Sequence, residues 1–184
     1  MTKHKWYPIL LVALCLLLGT SFLACTELTP SSTFLTYTDE INGFSISYPQ
    51  DWEIMPEDRL QGPQIVAFWA PAAEHEGKPL FTLSREGQLA GITVQSYFQE
   101  ARAALEESVG YDYSFVSKDE LVTNGVLAVK HVLTYDHEGE RLKAMQVYLV
   151  EGKSVWIMTS VCAPEFFDLW EPTFDVIADS FHLF

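Results

Sequence analysis

The run Val126-Leu127-Ala128-Val129-Lys130-His131-Val132-Leu133-Thr134-Tyr135, with the apolar runs 142–150 and 155–162 that follow it, decides the fold. Each is rich in β-branched and aromatic residues, and each is short enough to be one strand. The links between them, His137-Glu138-Gly139-Glu140 and Glu151-Gly152-Lys153-Ser154, each place a glycine where a tight turn needs positive φ. Such short links demand antiparallel pairing. In the last run Val155, Ile157 and Val161 alternate with Trp156, Met158 and Cys162, so both sheet faces are apolar and both need cover.

Upstream, Phe44, Ile46 and Tyr48 alternate with serines and share one face of a strand that ends at Pro49. Residues 52–55, 64–70 and 80–85 read as further strands between Pro- and Gly-containing connections. The period then changes. Val94, Tyr97, Phe98, Ala101 and Leu105 recur at helical spacing, with Thr93 as N-cap and Gly110 as stop. A second helix starts at Pro164 and carries Phe166, Phe167, Trp170, Phe174, Ile177, Ala178 and Phe181 on its apolar side, ending near Ser180. Pro172 inside it predicts a kink or two short helices. The aromatic stripe of the first helix fits burial against a sheet better than a cofactor face.

The N-terminus reads as an export signal. Lys3, His4 and Lys5 precede an uncharged stretch from Trp6 to Ala24, closed by Phe22-Leu23-Ala24-Cys25. The uncharged stretch is also long enough for one membrane-spanning helix. The softer Gly19-Thr20-Ser21 segment favours cleavage, and Phe22 is too bulky for an ordinary signal site. The segment resembles a bacterial lipobox, with Phe22 where Leu is usual. That resemblance implies a signal peptide over 1–24 and an acylated, palmitate-type N-terminus at Cys25, stable on a membrane because more than one chain is attached. Thr26 resembles the outer-membrane sorting pattern. The expected location is a cell or outer membrane, with the domain facing the periplasm or cell exterior. Residues 25–36, with Pro30 and a Ser-Thr run, form the lipidated N-terminus and a flexible tether, leaving 37–184 as one domain.

Composition narrows the function. The chain has 11 Lys and Arg against 25 Asp and Glu, a formal net charge of −14. Lys3 and Lys5 fall before Cys25 and every acid falls after it, so the remainder is more acidic still. Such a surface repels nucleic acid and anionic lipid and stays soluble. No phosphate loop, nucleophile elbow, paired-cysteine motif or metalloprotease helix is present. Asp136, His137, Glu138 and Glu140 crowd one hairpin tip, where polar residues are ordinary. His131 and His137 share a strand face but stand roughly 20 Å apart. His75 and His182 lack diagnostic partners, and Cys162 reads as a small core residue. No catalytic, cofactor or metal residue is assigned.

Tyr37-Thr38-Asp39, then Asn42-Gly43-Phe44-Ser45-Ile46-Ser47-Tyr48-Pro49-Gln50-Asp51-Trp52, resembles the opening of PsbP-like domains. Val176-Ile177-Ala178-Asp179-Ser180-Phe181 resembles their closing helix. The resemblance implies an α+β fold shared with PsbP and the Mog-type proteins, a central antiparallel sheet flanked by helices in an α-β-α sandwich. It implies no catalytic residues, because the matching motifs specify packing. The expected function is a lipid-anchored, non-catalytic binding or assembly module with a protein partner. A photosystem II accessory role, aiding Ca or Mn retention, and an unrecognised hydrolase are the alternatives.

Overall fold

The computed structural model describes residues 30–71, 78–87, 91–109 and 113–184. The three strands that opened the sequence reading are β7 (Val126–His137), β8 (Glu140–Glu151) and β9 (Ser154–Cys162). Their registers are those of consecutive antiparallel hairpins. At the first turn Glu138 and Gly139 both have positive φ, 52° and 89°. Those angles suit the tight turns whose twist matches the flanking strands.

Before them come β1 (Phe34–Asp39), β2 (Phe44–Pro49), β3 (Glu53–Ile54), β4 (Gln64–Trp69), β5 (Leu80–Glu86), helix α1 (Val94–Val109) and β6 (Ser114–Thr123). After them come α2 (Pro164–Asp179) and β10 (His182–Leu183). Seven strands form one sheet in the order β3-β4-β5-β9-β8-β7-β6, and β1-β2-β10 form a small second sheet. Every recorded pairing is antiparallel.

Two layers cover the large sheet. On one face lie α2 and the small sheet, and Phe44, Ile46, Phe68, Phe81, Trp156, Met158, Phe174 and Phe181 fuse into the main core. On the other, α1 sets Val94, Tyr97 and Phe98 against Val129, Tyr148 and Val155. The expected architecture, a central antiparallel sheet flanked by helices, is the observed one. Fully burying side chains of this size contributes about 1.5–3 kcal/mol each.

Three expectations change. β1 begins at Phe34, which pairs with Pro49, so Phe34, Leu35 and Thr36 are strand residues and not tether. The meander has a fourth strand, β6, joined to β7 by Asn124 and Gly125, whose φ values are 49° and 83°. And of the two readings at Pro172, two short helices is excluded, since α2 runs through it as one helix. The proline removes only the bond to the carbonyl of Asp168, a residue on the exposed side where water can replace it. Trp170 on one side of Pro172 and Phe174 on the other stay buried in one stripe.

The helix starts follow local chemistry. Thr93 Oγ1 accepts from the Ser96 N–H at 3.1 Å while Ser96 Oγ accepts from the Thr93 N–H at 3.0 Å, a reciprocal cap for α1. The expected stop at Gly110 lies outside the described residues. In α2, Pro164 occupies the first turn, where its missing N–H costs nothing. Lys130 of β7 reaches Asp175 at 2.7 Å and Glu171 at 3.2 Å, fastening α2 to the sheet.

Candidate functional site on the α1 face of the sheet

Antiparallel partners point to the same side, so the registers place side chains in rows across the α1 face. One row runs Glu53, Trp69, Leu80, Val161, Ala144 and Leu133. The next runs Ala67, Thr82, Thr159, Gln146, His131 and Lys118. Helix α1 packs on β7 and β8. It thus lies toward one end of these rows, and the β3–β5 end carries Trp69 and Leu80 half-buried.

Under α1 the second row is polar, buried at His131 and half-buried at Gln146 and Lys118. His131 is fully buried, with Phe98 edge-on at 5.2 Å and Phe115 stacked at 5.4 Å. Its Nε2 shares a hydrogen bond with the Tyr113 hydroxyl at 3.1 Å, while Nδ1 has no partner among the described residues. Burial, with help from the nearby Arg102 charge, pushes the imidazole pKa down to about 4. The ring is therefore neutral at pH 7. Beside it the Tyr148 hydroxyl donates to Gln146 Oε1 at 2.5 Å, and Gln146 Nε2 donates to Thr159 Oγ1 at 3.5 Å. Burial holds the Tyr148 phenol far above its ordinary range, so it too stays protonated. His131, Tyr148, Gln146 and Thr159 thus form a run of uncharged hydrogen-bonding groups, with the Lys118 ammonium at its end 5.4 Å from the Phe98 ring centroid.

The other end is an open corner. Glu53, Met55, Trp69, Ala70, Lys78, Pro79 and Leu80 line a cavity of about 340 Å³. Trp69 Nε1 donates to Glu53 Oε2 at 2.9 Å, which fixes both the indole and the carboxylate. The Arg59 guanidinium stands 5.5 Å from the Trp69 ring centroid, a cation on its π face. Glu53 and Lys78 carry opposite charges into one cavity without an ion pair between them. An apolar floor with a few convergent polar groups is the composition of a ligand site.

The residues weighed from sequence scatter. Cys25 and His75 lie outside the described residues. At the hairpin tip Asp136 pairs with Arg141 at 2.7 Å, and His137 sits across from Glu140. Among the described residues no three His, Cys, Asp or Glu side chains gather as a metal site. Cys162 is buried in the main core, and burial pushes its thiol up to about 12, which leaves it unreactive. His182 lies in β10 opposite Ser45. Sequence reasoning passed over Glu53, Trp69 and Lys78, which only strand register brings together.

No family model and no curated protein matches the chain. Solved structures do. Cyanobacterial PsbP (CyanoP) from Synechocystis is similar with a TM-score of 0.64 at 12% identity, over 88% of this chain and 98% of that one. LpqN, involved in cell envelope biogenesis of Mycobacterium tuberculosis, is similar with a TM-score of 0.64 at 14% identity, over 82% and 90%. A protein of unknown function from Pseudomonas aeruginosa reaches 0.57 at 19% identity, over 77% and 91%. The fold is PsbP-like. Identities this low establish the fold alone.

Proposed function

We propose that this chain is a lipid-anchored, extracytoplasmic binding or assembly module without a catalytic role. The observation that carries the binding part is the corner cavity, where Glu53 and Lys78 face an apolar floor built on Trp69. The extracytoplasmic part rests on the charged start, apolar stretch and Phe22-Leu23-Ala24-Cys25, and the likeness to LpqN, an envelope-biogenesis protein, supports it. Cys25 is the lipidated residue in this reading. Among the described residues no helix is long and apolar enough to cross a membrane. A role without catalysis is supported by His131, which is buried between Phe98 and Phe115 beneath α1 and bonded to a phenol.

A photosystem II accessory role has the likeness to CyanoP behind it, but LpqN is equally similar. Fold does not choose between them. A source cell that makes no photosystem II excludes that role.

The test is intact-mass analysis of the protein isolated from membranes, with crosslinked proteins identified in the same preparation. The expected result is a mature chain starting at an acylated Cys25 together with a specific partner or ligand. Cys25→Ser should release the domain or leave its precursor unprocessed. Unchanged mass and membrane attachment in that variant would defeat the lipid assignment, and recovery of no specific partner or ligand would defeat the binding one.

A further inference from the structure

We infer that the corner cavity binds a short apolar peptide with free ends, its ammonium on Glu53 and its carboxylate near Lys78. This rests on the binding reading above and adds the ligand class. Three observations point the same way. First, among the described residues lining the cavity the charged ones are one acid and one base, separated by more than ion-pair distance and facing the same space. A ligand with a single charge would satisfy one and leave the other idle, whereas a zwitterion satisfies both. Second, the surface between them is Trp69, Leu80, Met55 and Pro79, which takes an apolar body. Third, a cavity of about 340 Å³ sits at the small end of ligand sites, about 300–1,000 Å³, which suits a dipeptide better than a folded partner.

The anchor for the ammonium is already oriented. Trp69 Nε1 holds Glu53 Oε2, so Oε1 has no hydrogen-bond partner among the described residues. The Arg59 guanidinium already stands over the indole at 5.5 Å, so the ammonium's contact is with the carboxylate. An ammonium bound there gains a charge-assisted hydrogen bond with little side-chain ordering, since the carboxylate is held in advance. The chemistry is recognition only, and no bond is made or broken.

The probe is the dipeptide Leu-Leu, with its N-acetyl and C-amide derivatives, titrated into the full ¹⁵N-labelled chain in detergent. The readout is the indole N–H resonance that disappears in Trp69→Phe. Leu-Leu should shift it saturably, and each capped form should bind at least about tenfold more weakly, the loss of one charged contact. Glu53→Gln, whose amide oxygen can still accept from Trp69, should abolish the preference for a free amine. Lys78→Met should abolish the preference for a free carboxylate. Equal response to free and capped peptides overturns the zwitterion assignment while leaving a binding pocket. No response to any of them at about 10 mM, above the millimolar range of weak ligands, overturns the ligand class. In that event, capture of a membrane partner lost in Trp69→Ala would still uphold the broader binding role.

Discussion

The side-chain amide of Asn124 donates to the backbone carbonyl of Phe181, joining the β6–β7 turn to the link between α2 and β10. Asn124 also holds positive φ in a turn with Gly125. One residue thus does two jobs, closing a hairpin and satisfying a carbonyl in the α2–β10 link. Asn124→Gly keeps the turn and loses the bond, and should cost about 1 kcal/mol. Asn124→Ala also strains the turn and should cost about 1 kcal/mol more. Urea unfolding at fixed pH measures both, and a glycine variant weaker than the alanine one would sink this account.

His131 predicts a pH dependence. Its folded pKa of about 4 lies below the ordinary 6.5, so folding favours the neutral ring. The unfolded chain binds a proton first as pH falls, so stability is fully present above pH 6.5 and is lost down to about 4. The full swing is up to about 3 kcal/mol. His131→Phe should flatten the stability curve across that window. Equal slopes in the two proteins would refute the assignment.

Lys130 should matter through its partners on α2. Burial lowers its pKa, but Asp175 and Glu171 more than offset this, and the net shift is upward. A base with a raised folded pKa contributes fully below its unfolded value and loses that contribution as pH climbs through the folded one. The fastening therefore persists at neutral pH and weakens only above about 10.4. Lys130→Met should lower stability at pH 7 by about 1 kcal/mol and lose part of the alkaline dependence. Thermal melts at pH 7 and above 10 distinguish this from simple packing loss, which would be the same at both.

Cys162 should be silent. Its buried thiol stays protonated at any physiological pH. Maleimide labelling of the folded protein, mapped by peptide mass, should leave Cys162 unmodified and label it once urea is added. Rapid modification without denaturant would contradict the burial.

The sequence disclosed the parts of the fold whose signals are local. Gly139 and Gly152 marked two turns, and the helical spacing of Val94, Tyr97, Phe98 and Ala101 marked α1. Strand β6 escaped because it lies mostly exposed at the sheet edge and carries Lys118, Asp119 and Glu120 in succession, which blurs its alternation. Asn124-Gly125, a strong hairpin signal, was the clue that could have revealed it. The two residues of β10 are too short to carry a period at all. The corner cavity was hidden for a different reason. Glu53, Trp69 and Leu80 come from three strands, and their meeting depends on register, which no single segment encodes.

The small sheet has an implication for the order in which the chain matures. β2 lies between β1, its immediate predecessor, and β10, at residues 182 and 183. Gly43 and Phe184 also meet through a backbone hydrogen bond of 3.0 Å. A polypeptide made from its N-terminus therefore presents β2 with one edge bare until almost everything else has been synthesised. The first hairpin is an early-born piece that must wait for a late one, and a chain stalled short of residue 182 would carry that open edge as a site for mispairing.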